Sequence, residues 1–301
     1  HRILVRISKM IQTTRTAMRK PEVSATWVQR QRLEFIEFRL LWEGSVRRRH
    51  LMEHYAISIQ QASLDFARYA ELWPGNAVYD RQKKAYIPSP EFRPQLVGDD
   101  ATTYLNQLLA LTLELLPPET ALLGRVPPSA AVRLPERHVS GSVLRHVLHA
   151  IREQFSLRID YQSMSRDRDQ EGSASRTVSP HALVHDGARW HMRAYCHTRM
   201  QFRDFALGRV LRVHRKVDGT VDPVEDKEWH NLVEVVLAPA PELTAAQKRA
   251  IELDYRMRDG AVVMKVREAL LFYMQQRFGR RPSQLRQVIM VNEDELFPQE
   301  S

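Results

Sequence analysis

Asp186-Gly187 is a hairpin-turn signal, and on the strand that follows it successive side chains alternate between two faces. Trp190, Met192, Ala194 and Cys196 make the apolar face. Arg189, His191, Arg193 and Tyr195 make the other. Two arginines flanking a histidine repel one another unless an anion sits among them, and the tyrosine is placed to stack on a ring. Arg203 follows on a later strand, and Asp186 and Asp204 are the nearby carboxylates, too few to neutralise the cluster. The chemistry is recognition of a phosphate or a nucleotide. A second polar set lies near the N-terminus. Ser58, Gln60, Gln61 and Ser63 open a helical stretch, and glutamine can make two bonds to an adenine edge. Arg68 further along, Arg47, Arg48 and Arg49 before it, and Arg81, Lys83 and Lys84 after it are suited to phosphates.

Other chemistries fit less well. His181, His185, His191, Cys196 and His197 could donate to a metal, but their spacing matches no zinc-finger pattern. No phosphate-cradling glycine loop and no nucleophile elbow is present. A nuclease would need clustered carboxylates. Asp167 and Asp169 alternate with Arg166 and Arg168 in a polar run, the mark of a solvated loop, which leaves Asp160 alone. Neither a metal nor a cofactor is expected. A nucleic-acid-processing enzyme stays open as an alternative, as does an interaction or dimerisation module that senses no ligand.

The elements that must position these residues follow from hydrophobic periodicity. Helices are expected from about Ser24 to Trp42, over Val46–Tyr55 and from an N-cap at Ser58 to Leu72. Val78–Asp80 and Lys84–Ile87 then read as two short strands of a basic hairpin. Three helices and a hairpin make a winged helix-turn-helix, whose third helix enters the major groove. Helices at about Asp99–Leu116 and Ser142–Phe155 follow, the first with Leu105, Leu108 and Leu109 as its apolar stripe. After Leu157 the period changes to two, with a polar loop from Ser165 to Ser175. Residues 233–291 read strand, helix, strand, helix, strand.

The chain has 301 residues, room for two or three compact units. Its net charge is +9, and residues 1–90, with 16 basic and 8 acidic groups, hold +8 of it. The basic excess is therefore N-terminal, as a polyanion-binding end requires, although residues 21–90 hold only +2 of it. Ile3-Leu4-Val5 is too short for a signal-peptide core and no apolar run is long enough to span a membrane, so no membrane partner is expected. The chain opens on His1, which reads as part of something longer. The single cysteine, Cys196, suits a reducing cytoplasm.

The string Arg189-Trp190-His191-Met192-Arg193-Ala194-Tyr195, followed by Arg203-Asp204-Phe205-Ala206-Leu207-Gly208-Arg209-Val210, resembles the WYL-domain family of bacterial transcriptional regulators. His191 and Met192 stand where the naming triplet has Tyr and Leu, a departure similar to the phage-defence branch. The resemblance implies an α+β multidomain chain: a basic extension (1–20), a winged helix-turn-helix (21–93), a helical linker or dimerisation region (94–155), a WYL domain built as an Sm-like or SH3-like β-barrel (156–222) and a small C-terminal α/β domain (223–301). It implies a cytoplasmic homodimer that represses a defence operon from a pseudo-palindromic double-stranded operator and senses a nucleic acid or nucleotide. The ligand-facing residues it implies are Tyr161, Ser163, Ser165, His181, His191, Arg193, Arg203 and Arg209, with Trp190 in the core.

Overall fold

The structure, a computed structural model, describes residues 27–164, 173–217, 219–279 and 286–298. The basic extension 1–20, Ser165 and most of the polar loop lie outside them. The chain divides into two compact units, residues 1–134 and 135–301.

In the first unit, α1 (Trp27–Glu43), α2 (Arg48–Tyr55) and α3 (Ile59–Leu72) precede a hairpin of β1 (Ala77–Asp80) and β2 (Ala85–Pro88). Leu33, Phe35, Ile36 and Leu40 of α1 pack against Leu51 of α2 and Ala62, Phe66 and Tyr69 of α3. Ser58 caps α3 by accepting from the Gln61 amide at 3.1 Å. Val46 and Tyr86 exchange two backbone hydrogen bonds of 2.9 Å, which ties the entry of α2 to the hairpin.

Two buried carboxylates fix the helices. Asp65 of α3 takes two bonds from the Arg32 guanidinium, at 2.6 and 3.2 Å. Glu37 of α1 accepts from the Tyr69 hydroxyl at 3.0 Å and from the consecutive amides of Gln95, Leu96 and Val97 at 2.9, 2.5 and 2.8 Å. A buried ionised group is tolerated only when satisfied in this way. Further on, α4 (Thr102–Thr112) is shorter than its apolar stripe suggests, and none of its residues is fully buried. Leu105 and Leu109 remain about half exposed.

In the second unit, α5 (Gly141–Glu153) lays Val143, Val147 and Ala150 on a five-stranded antiparallel sheet. Its strands are β3 (Ser156–Gln162), β4 (Ser173–His185), β5 (Trp190–Cys196), β6 (Gln201–Ala206) and β7 (Val210–Val217), in the order β6-β5-β4-β3-β7. The edge strands β6 and β7 do not pair with each other among the described residues. The sheet is open, where the sequence leads to a closed barrel. A short helix, α6 (Lys227–His230), leads into a second antiparallel sheet of order β10-β8-β9. That sheet comprises β8 (Leu232–Pro239), β9 (Val262–Arg267) and β10 (Val288–Met290), with α7 (Ala245–Asp254), α8 (Leu271–Phe278) and the single turn α9 (Glu293–Leu296) around it.

Candidate nucleic-acid interface and sensor site

The outward face of α3 carries Gln60, Leu64 and Ala67, all exposed, with Ser63 and Arg68 at its margin. Gln60 is free to reach a base edge. Gln61 is not oriented the same way, since its side-chain amide donates to Asp65 Oδ1 at 3.2 Å. Ser63 turns back onto the Ile59 carbonyl at 2.8 Å, and Arg68 pairs with Glu71 at 2.7 Å. Sequence periodicity missed Leu64, because an apolar residue on a helix reads as core. On this face it is 63% exposed, and apolar side chains on a recognition helix meet thymine methyl groups.

The wing turn presents Arg81, Lys83 and Lys84 to solvent. Asp80 shapes the turn by accepting from the Gln82 and Lys83 amides at 2.8 and 2.9 Å, and Lys84 takes a left-handed φ of 48°. The three arginines at the start of α2 divide. Arg49 is exposed. Arg47 donates to the Lys83 carbonyl at 3.3 Å, and Arg48 donates to the Tyr86 hydroxyl at 3.2 Å while lying over the Tyr79 and Tyr86 rings. Arg47 and Arg48 therefore brace the wing.

The central cluster is arranged differently from its sequence pattern. Arg193 is buried, and the carboxylates that neutralise it come from the C-terminal segment. Its Nε and Nη2 bond to the two oxygens of Asp226 at 2.7 and 2.9 Å, and Nη2 also reaches Glu228 at 2.8 Å. Asp204 lies 3.5 Å from Nη1. His181 donates from Nε2 to Asp226 at 2.9 Å, and Asp226 caps α6 by accepting from the Trp229 amide at 3.2 Å. Burial opposes ionisation of Asp226, but the bonds from Arg193 and His181 and the arginine charge outweigh it and hold its carboxyl below the ordinary value. Burial dominates at His181, lowering its pKa, and at Asp204, raising it.

Register separates the remaining residues. Arg203 lies opposite Ala194, whereas Asp204 lies opposite Arg193. Arg203 is thus exposed on the other side of the sheet and does not join the cluster. A register shift between Pro180 and Ala182 accompanies the turn of His181 toward Asp226. Trp190, expected in the core, is 50% exposed at the start of β5. His191 is buried, with Nε2 on Asp186 at 2.9 Å. It lines a cavity together with Tyr161 and Arg209. The Tyr161 hydroxyl accepts from the Ala206 amide at 3.1 Å. Ser163 is half-buried. Among the described residues no group of three or more His, Cys, Asp or Glu could hold a metal ion.

Residues 28–110 match the winged helix-turn-helix domain of the BrxR transcriptional regulator, and residues 142–215 match the WYL domain. Residues 232–296 match the BrxR C-terminal dimerization domain. A DNA-binding transcriptional repressor, CapW of Stenotrophomonas maltophilia, is 41% identical over 248 residues, which are 82% of this chain and 82% of that one. The chain belongs to the CapW family of DNA-binding transcriptional repressors. CapW proteins of Escherichia coli (strain KTE188) and Pseudomonas aeruginosa are 37% and 38% identical over 92% of this chain, covering 94% and 93% of their own lengths. In this CapW-family chain the dimerization match falls on the C-terminal sheet and the helices around it.

Proposed function

We propose that this chain is a homodimeric repressor that reads a pseudo-palindromic operator with α3 and the wing and controls a phage-defence operon in the cytoplasm. The observation that carries the reading is the solvent-facing row of Gln60, Leu64 and Ala67 on a capped helix, flanked by the exposed cations of the wing turn. Base-reading and phosphate-holding groups are the two parts a sequence-specific DNA binder needs. A two-fold dimer presents two such helices, so half-sites separated by about one or two helical turns follow. Of the ligand-facing set, Tyr161, His191 and Arg209 share a cavity and are the residues on which effector sensing is proposed.

The test is footprinting on the DNA upstream of the chain's own gene. Two symmetry-related protected half-sites support the reading, and protection of one asymmetric half-site overturns the dimeric mode. Loss of the footprint in Gln60→Ala, with non-specific binding kept, supports α3 as the reader.

A further inference from the structure

Along the outward face of α3, Gln60, Leu64, Ala67 and Glu71 follow one another at helical spacing, and all four are exposed. The polar side chains beside this stripe are already engaged. The Gln61 amide donates to Asp65, the Ser63 hydroxyl donates to the Ile59 carbonyl, and Arg68 is paired with Glu71. On the first two turns of the stripe, the Gln60 amide and the Leu64 isobutyl group are what is left to meet a base edge. They stand one turn apart.

The face is also held still. Asp65 lies beside Leu64 in the chain, fully buried, and takes both bonds from Arg32 of α1, while Ser58 caps the helix start. A fixed surface loses little entropy on docking, which is what discrimination between similar bases needs. The carboxylate of Glu71 marks the far limit of the reading part. It is 68% exposed, and a free carboxylate is repelled by phosphate. The base-reading positions therefore lie N-terminal to it.

Leu64 fits one base edge better than the others. In the major groove every base presents hydrogen-bonding groups, but only thymine adds an apolar one, its 5-methyl. An isobutyl group set against that methyl removes apolar surface from water on both sides. Set against cytosine, it strips water from the exocyclic amino group and returns no hydrogen bond. Gln60 and Leu64 are four residues apart, about 6 Å along the axis at about 1.5 Å per residue. That is about two base-pair steps of about 3.4 Å.

We propose that Leu64 is a specificity-determining residue of this repressor, reading the 5-methyl group of a thymine in each half-site, about two base pairs from the pair that Gln60 reads. The inference deepens the operator reading given above and rests on it. It assigns a base preference to an apolar side chain, and so a form of recognition that salt does not screen.

The experiment uses the full chain and the operator fragment defined by footprinting. Each thymidine of the protected half-sites is replaced in turn, symmetrically, by deoxyuridine, which lacks the 5-methyl and keeps the pairing and the O4 acceptor. Competition binding is read for the wild type, Leu64→Ala and Gln60→Ala. At one position the wild type should lose about fourfold per half-site, about fifteenfold with both changed, the worth of one buried methyl group at each. Leu64→Ala should bind the unmodified operator more weakly and lose less than about twofold at that position, whereas Gln60→Ala should keep the sensitivity. Leu64 is 63% exposed, so Leu64→Ala should keep the wild-type melting temperature and the wild-type affinity for scrambled DNA. Insensitivity of the wild type at every thymidine, equal sensitivity in Leu64→Ala, or operator affinity unchanged in Leu64→Ala would each overturn the proposal. If no upstream fragment is bound at all, the operator reading falls and this one with it. A bound operator without the Leu64 coupling removes this one alone.

Discussion

Asp226→Ala tests the ion cluster that joins the central sheet to the C-terminal segment. Arg193 and Asp226 are 4% and 1% exposed and share two short bonds. Removing one partner of a buried pair costs about 3–5 kcal/mol, because the other charge is left without compensation. Arg193 would keep Glu228 at 2.8 Å and Asp204 at 3.5 Å, which pulls the cost toward the lower end. The lost cap on α6 adds about 1 kcal/mol, so about 4 kcal/mol is expected. With a urea dependence of about 2 kcal/mol per molar, the midpoint of the second unit should fall by about 2 M. Urea titration read by hydrogen exchange on peptides from β4, β5 and β6 isolates that unit. The paired substitution Arg193→Met with Asp226→Leu should cost less than either single change, since it removes both charges together. A drop below about 0.3 M for Asp226→Ala, or a double variant whose cost is the plain sum, would refute the reasoning.

Three further outcomes are expected. Gln60→Ala should lose about 1–3 kcal/mol of preference for operator over scrambled DNA, and Gln61→Ala should lose less, because its amide is engaged with Asp65; competition binding at fixed salt decides it. Alanine at both Lys83 and Lys84 should lower the slope of log K against log salt by about 0.9 for each phosphate no longer neutralised, and an unchanged slope moves the wing off the DNA. The folded-state pKa of His181 is lowered by burial, so its contribution to stability is present above the unfolded value of about 6.5 and is lost as pH falls through the folded value. Denaturation midpoints measured from pH 7.5 to 5 should therefore decline, and His181→Gln should blunt the decline; an identical pH profile in the variant would remove His181 from the account.

Much of the first unit was legible in sequence, since helix periodicity, the Ser58 cap and the hairpin turn are local signals. The site was less so. Strand parity correctly grouped Met192, Ala194 and Cys196, but parity says nothing of what covers the opposite face. Arg193 read as part of an unneutralised cluster because Asp226 and Glu228 lie more than thirty residues further along the chain. Arg203 was misplaced because only strand pairing tells which of Arg203 and Asp204 faces Arg193. His181 depends on an irregular register, and Gln61 on a partner one helical turn away that is itself held from α1.

The Glu37 carboxylate has a mechanical consequence. One oxygen accepts from Tyr69, which belongs to α3, and the other accepts three successive amides of the bent segment that follows the wing. Helix and departing chain are thereby pinned to a single point on α1. Replacing that one carboxylate would therefore loosen the departing chain and the Tyr69 end of α3 together.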